Sequence, residues 1–302
     1  MPEVILSYQS GLIIAQRRSS TRTLVRDISF TLREGESLAL IGETGSGKTM
    51  TALSIMGLLP ENVTQQNGRI LFCGGELSGK KDIRSKLGVE IVYIPQNGME
   101  FLNPSRKVKD QLFDNLEKLG VPAKERKTAA MEKLAAAGLQ PPESFLEKYP
   151  FQLSGGEAQR VTIAISACSR ARLLIADEPT NGLDPEAKDR FLRHIDTLFP
   201  NAARLFITHD IAVAEKCGRL IVLCGGKFIE GGCSESVLRH PNHPYTQALK
   251  DALVENGMKE TPVVRESDSD CPFYSRCSKA CERCLGEIPH QKRDGIEWRC
   301  VL

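Results

Sequence analysis

Apolar positions along this chain change period several times, and those changes outline its architecture. The first thirty-odd residues alternate apolar and polar side chains in short bursts, predicting strands at Val4–Tyr8, Leu12–Gln16 and Leu24–Leu32 separated by turn-prone stretches. Ser37–Ile41 is a short apolar strand that runs into the glycine-rich segment Gly42–Thr49. Met50, Leu53, Met56 and Leu59 then recur at helical spacing, predicting a helix over Lys48–Leu59 that Pro60 stops. After a further strand at Val89–Ile94, two charged amphipathic helices follow at Val108–Leu119 and Lys124–Leu139, the second ending before Pro141. Strands return at Leu173–Ala176, Leu205–Thr208 and Leu220–Leu223, alternating with helices at Glu157–Ala167, Glu186–Leu198 and Ile211–Lys216. Uninterrupted apolar strands alternating with helices predict a parallel sheet covered on both faces.

Composition narrows the classes. At 302 residues the chain has room for one large domain with an appendage. Its 40 Lys+Arg against 38 Asp+Glu give no electrostatic case for nucleic acid as a partner. The N-terminal stretch lacks a basic segment followed by a long apolar one, which argues against a signal peptide, and no run approaches the ~20 apolar residues that span a bilayer. Of ten cysteines, five crowd into Cys271–Cys300. Such density in a reducing compartment points to metal or redox chemistry more than to disulfides.

The candidate chemistry begins with Gly42-Glu43-Thr44-Gly45-Ser46-Gly47-Lys48-Thr49, placed between a strand and a helix that opens on Lys48, Thr49 and Met50. Its glycines let successive N–H groups turn inward around phosphate oxygens, and the helix adds its N-terminal dipole. Lys48 is a point charge for the β- and γ-phosphates, and the Thr49 hydroxyl is a Mg²⁺ ligand. Asp177 and Glu178 end the strand Leu-Leu-Ile-Ala, at the sheet edge where ligands collect, suited to Mg²⁺ and to a general base respectively. The bland reading makes the acids a helix cap, and Ser154-Gly155-Gly156 a helix-opening turn.

With LSGGEAQR (Leu153–Arg160) lying between the phosphate loop and the acidic strand, the chain resembles the ATP-binding subunits of ABC transporters. That resemblance implies an α/β P-loop NTPase (RecA-like) core with an antiparallel β subdomain and an inserted helical subdomain at about 97–160. The ATPase domain is expected over 1–250, and a small Cys-rich extension over 251–302. It further implies that Gln96 senses Mg²⁺ and the attacking water, that Gln96 joins Thr49 and Asp177 around the metal, and that His209 contacts the γ-phosphate. Asp184 matches a loop crossing a dimer interface. Ser154, Gly155, Gly156 and Glu157 match the segment that caps nucleotide held by a second ATPase subunit, identical or paralogous. The family often stacks adenine on an aromatic residue shortly before the phosphate loop. Ser19–Val25 has none and Tyr8 lies farther upstream, so base recognition is either loose or made through Arg22 or an aliphatic contact.

HPYTQAL (His243–Leu249), CPFYSRC (Cys271–Cys277) and YIPQNGMEFLNPS (Tyr93–Ser105) are similar to the narrower group of oligopeptide, dipeptide and nickel importers. The implied partners are two transmembrane permease subunits and, indirectly, an extracytoplasmic solute-binding protein. The implied location is peripheral, on the cytoplasmic face of the membrane. In some members four cysteines, here Cys271, Cys277, Cys284 and Cys300, ligate a [4Fe–4S] cluster. Four thiolates equally suit tetrahedral zinc, and unligated thiols or disulfides are a third reading. The low apolar content of the tail predicts that it needs a staple to fold. A soluble ABC ATPase uncoupled from transport is the alternative function.

Overall fold

The computed structural model describes residues 2–17, 20–77, 80–252 and 269–302. In chain order its strands are β1 (Val4–Arg17), β2 (Ser20–Arg33), β3 (Ser37–Ile41), β4 (Val63–Gln66), β5 (Arg69–Phe72), β6 (Gly75–Glu76), β7 (Ile91–Ile94), β8 (Leu173–Asp177), β9 (Ala203–Thr208), β10 (Arg219–Cys224), β11 (Lys227–Cys233), β12 (His290–Arg293) and β13 (Ile296–Arg299). The helices are α1 (Lys48–Ile55), α2 (Lys80–Lys86), α3 (Gly98–Phe101), α4 (Val108–Lys118), α5 (Ala123–Ala136), α6 (Glu143–Leu146), α7 (Gly155–Ser166), α8 (Pro185–Leu198), α9 (Ile211–Glu215), α10 (Ser234–Arg239) and α11 (Pro244–Asp251). The chain forms two compact units, one of residues 1–5, 33–36 and 78–205, the other of residues 6–32, 37–77 and 206–302.

In the second unit the two short strands expected at the N-terminus are one continuous strand, β1. Its halves have different partners: Leu6–Gln9 pair antiparallel with β5, and Leu12–Ala15 with β4. Two partners on one strand keep the backbone extended through Ser10-Gly11, where the local pattern suggests a break. Helix α1 is shorter than expected. Gly57, at φ 63, ends it ahead of Pro60, because glycine enters the left-handed conformation that closes a helix without a Cβ clash. The sheet here is mixed: β3 and β10 run parallel, while β10 and β11 run antiparallel. Every residue of β10 from Leu220 to Cys224 is buried, which accounts for its continuous apolar run.

The C-terminal tail belongs to this unit and is built onto the sheet. β13 pairs antiparallel with β11, Glu230 opposite Trp298, and with β12 through a two-residue turn at Asp294 (φ 49) and Gly295 (φ 78). Positive φ at both central residues is the type I′ geometry that matches the twist of a hairpin. Asp270 accepts from the Lys227 ammonium and from Arg299 Nη2 (2.8 Å), and Phe273, Ile288 and Trp298 are buried. Sheet addition and ion pairs thus tie residues 269–302 to this unit.

The first unit holds the parallel pair β7 and β8 with Tyr93 opposite Ile175 and Ile94 opposite Ala176. Leu112 and Leu116 of α4, Leu134 of α5, Phe145 and Leu146 of α6, and Val161, Ala164 and Ile165 of α7 form one apolar cluster. Burial of each such side chain contributes roughly 1.5–3 kcal/mol.

Candidate nucleotide site

The phosphate loop lies wholly in the second unit. Gly42 has φ 148, and a Cβ there would sit 2.1 Å from the Leu223 carbonyl oxygen; Gly47, at φ 96, caps α1 where a Cβ would meet Val25 at 2.8 Å. Only glycine passes at either point. Lys48 is buried, and its ammonium donates to the carbonyls of Gly42 (2.6 Å) and Glu43 (3.0 Å) across the mouth of the loop. The Ser46 hydroxyl is buried without a hydrogen-bond partner. A buried hydroxyl without a partner, beside a buried ammonium, fits an anionic ligand that brings acceptors. Thr44, Gly45 and Thr49 are exposed on the loop, and Met50 is half-buried at the start of α1.

His209 is exposed directly after β9. Asp210 follows it and caps α9, its carboxylate accepting from Ala212 N–H at 3.0 Å.

The acids and the LSGGE segment lie in the first unit. Asp177 is buried at the end of β8, with the Tyr93 hydroxyl 3.5 Å from Oδ2. Burial, and then the Asp177 charge, push the Tyr93 phenol up to about 12, so Tyr93 stays a neutral donor to that carboxylate. Tyr93 is a neighbour of the site that motif reading passed over; the parallel register of β7 on β8 puts it there. Glu178 takes φ 46, an uncommon backbone state for a residue with a Cβ and one that clusters at functional sites.

One cleft of about 750 Å³ brings together Gln96, Asp177, Gly155, Gly156, Gln159 and Leu183. Its walls are locked by a close backbone crossing. Thr162 Oγ1 donates to the Gly98 carbonyl at 3.1 Å, and a Cβ on Gly98 would fall 2.7 Å from Gln159 Cα. Residues 96–98 are thereby fastened to α7, the helix that the LSGGE segment opens. Gly98→Ala is expected to force the two backbones apart, at a cost of about 1–3 kcal/mol in thermal or urea denaturation, and to lower ATP turnover. A variant as stable and active as the parent would show that the crossing carries no constraint.

Ser154 and Glu157 form a reciprocal capping box: Ser154 Oγ accepts from Glu157 N–H (3.3 Å) and Glu157 Oε2 accepts from Ser154 N–H (2.7 Å). Those bonds hold the Glu157 carboxyl below the ordinary glutamate range. The helix-opening reading of Ser-Gly-Gly is therefore locally true, and Gly155 and Gly156 also line the cleft. Asp184 likewise caps α8 by accepting from Ala187 N–H at 2.8 Å.

Tyr8 is fully buried, stacked on Phe30 at 5.3 Å between centroids and bonded by the Ser54 hydroxyl, so it is core and no platform for a base. Arg22 is exposed on β2, while Ser19 lies outside the described residues. In the tail the sulfurs of Cys281 and Cys284 are 3.8 Å apart, and Cys271 Sγ lies 3.8 Å from His243 Nε2. Burial pushes the Cys271 thiol up to about 11. Among the described residues no three Cys, His, Asp or Glu are grouped to hold a metal ion. Cys271, Cys277, Cys284 and Cys300 share the tail but do not fit a four-sulfur cage as they stand.

The HPY segment gains a physical reason. Glu230, fully buried on β11, accepts from the Asn242 backbone N–H (2.7 Å), Asn242 Nδ2 (3.0 Å) and His243 N–H (3.2 Å). His243 Nδ1 caps α11 by accepting from Tyr245 N–H at 2.9 Å, and burial pulls its imidazole down to about 4, so it stays neutral. Tyr245 then reaches the phosphate loop, its hydroxyl accepting from Glu43 N–H at 3.0 Å.

The chain is similar to known proteins in sequence and in fold. Residues 25–181 match the ABC transporter family, and residues 229–284 match the oligopeptide/dipeptide transporter C-terminal region. The chain is 34% identical over 290 residues to the dipeptide transport ATP-binding protein DppD of Escherichia coli (strain K12), covering 90% of this chain and 89% of that one. It is 37% identical over 237 residues to the metal-staphylopine import system ATP-binding protein CntD of Staphylococcus aureus (strain NCTC 8325 / PS 47), covering 75% and 85%. Among solved structures, the dimeric ATP-binding cassette MJ0796 bound to ADP and Pi superposes with a TM-score of 0.67 at 22% identity, over 76% of this chain and 99% of that chain. CbiO1 from Clostridium perfringens gives 0.65 at 23%, over 83% and 95%. At such identities the structural likeness establishes the fold, that of an ABC ATPase.

Proposed function

The chain belongs to the ABC transporter family, and we propose that it is the ATP-binding and ATP-hydrolysing subunit that energises import of peptides or nickel through separate transmembrane subunits. The observation that carries the reading is the phosphate loop: clash-enforced glycines, Lys48 across its mouth and the orphan Ser46 hydroxyl together make an anion cradle. No helix among the described residues is long and apolar enough to cross a membrane, which fits a subunit that docks on others.

In this reading Gly42–Thr49 wrap the phosphates, and Lys48 exchanges its carbonyl partners for phosphate oxygens. Thr49, Gln96 and Asp177 would hold Mg²⁺, which when bound neutralises charge on the β- and γ-oxygens. Glu178 orients the attacking water and takes its proton, and His209 contacts the γ-phosphate. Ser154, Gly155, Gly156 and Glu157 act on nucleotide held by a second ATPase subunit, with Asp184 at the junction. The ATPase domain spans 1–250, its helical subdomain about 97–160, and the extension 251–302. No step passes through a metal in the tail.

Affinity purification from membranes tests this reading. Two integral membrane proteins are expected to co-purify, and the reconstituted assembly is expected to take up a peptide or nickel only with hydrolysable ATP. Recovery of the chain free of membrane proteins, with full ATP turnover on its own, would favour the soluble ATPase.

A further inference from the structure

One cluster beside the phosphate loop has no part in that mechanism. Glu43, second in the loop, is held from two sides by the C-terminal region. Tyr245 accepts its N–H, and Arg276 Nη1 donates to its Oε1 at 2.7 Å. The guanidinium is nearly enclosed, its side chain 12% exposed, over the rings of Phe273 (5.1 Å) and Tyr245 (5.8 Å), with Nη2 directed at Cys224 Sγ. Arg276 lies within CPFYSRC and is carried by a short 3₁₀ turn at Tyr274–Arg276. That turn is tied down through Asp270, which Lys227 and Arg299 both grip.

A carboxylate in a phosphate loop is electrostatically awkward. Nucleotide would bring several negative charges to the backbone that carries Glu43, and each unit charge at short range repels by kilocalories where water is partly excluded. Arg276 offsets that charge, and its planar fork on two aromatic faces fixes where the carboxylate points. We propose that Arg276 is a positioning residue for ATP binding: from the cysteine-rich tail it neutralises Glu43 and holds it turned away from the phosphate cradle. The tail is thereby a working part of the phosphate loop. The inference rests on ATP occupying this loop, and it adds a residue that the loop motif does not contain.

The test is isothermal titration of the full chain with Mg²⁺-ATP, combined with ATPase kinetics of the assembly. Arg276→Ala is expected to weaken ATP binding about tenfold and to raise KM by a similar factor, with kcat changed by less than about twofold. Arg276→Lys keeps the charge but not the fork and should fall between. The decisive variant is Arg276→Ala combined with Glu43→Gln. With the loop carboxylate gone, the missing guanidinium no longer matters, and affinity should return to within about threefold of the parent. A purely structural anchor predicts no such rescue, so a double variant as weak as Arg276→Ala alone overturns the proposal. So does an Arg276→Ala chain that binds ATP like the parent. A parent chain that fails to bind Mg²⁺-ATP would instead overturn the nucleotide reading itself. Unchanged alkylation of the tail cysteines in Arg276→Ala would show that the tail is still folded.

Discussion

Glu178→Gln is expected to bind ATP with near-parental affinity while turnover falls by about 10²–10⁴-fold, the contribution typical of a positioned general base. Gln keeps the size and the hydrogen-bonding reach of the side chain but cannot take a proton from water. The substitution also leaves the unusual φ of 46 at this position to a residue of similar shape, so the loop need not rearrange. With hydrolysis blocked, the ATP-bound closed pair of subunits has no exit, because closure is driven by the higher affinity of that state for ATP. Size-exclusion chromatography with Mg²⁺-ATP should therefore show dimer for Glu178→Gln and mostly monomer for the parent. Turnover within a few-fold of the parent would remove Glu178 from the role of base.

The second large effect is on stability. Glu230→Ala removes a fully buried carboxylate and strands the buried His243 N–H, while also releasing the part-buried Asn242 N–H. An orphaned buried donor costs about 1–3 kcal/mol, and a loss in that range is expected. In a chain of this size Tm should fall by roughly 2–4 °C per kcal/mol. ATP affinity should fall as well, because the same segment carries Tyr245 to Glu43 N–H. Glu230→Gln retains an acceptor and should recover part of both losses. A Glu230→Ala chain that melts within a degree of the parent would mean that water takes over those donors and that the segment needs no buried anchor.

Glu230 also illustrates how unevenly the site can be read from sequence. In the primary structure it is one acid in KFIEGGC, with nothing to separate it from a solvated strand residue. Its role appears only when β11 pairs with β10 and β13 and its side chain is shut away from water. Tyr93 is a similar case: its tie to Asp177 depends on the register of two strands about eighty residues apart. Tyr8 runs the other way. An aromatic residue upstream of a phosphate loop invites a role in base binding, but stacking on Phe30 places it in the core. The hairpin at Asp294-Gly295 was open to prediction, since Asp-Gly between short alternating runs is a strong local turn signal.

Local signals by themselves determined the phosphate loop, the acidic strand end, the capping box at Ser154 and Glu157, and the α/β alternation. Each depends on residues within a turn or two of one another, where glycine torsions, capping and periodicity act. The same signals placed the helices α4, α7 and α8 within a residue or two of where they stand, while α5 ends three residues before the expected Leu139. Tertiary structure alone decided that β1 serves two partners, that residues 96–98 cross against α7, and that residues 269–302 are tied down by a sheet edge and ion pairs. It alone brought Arg276 to Glu43, 233 positions away in the chain. Contacts of that kind are set by which faces exclude water together, and a one-dimensional pattern does not record which distant face that will be.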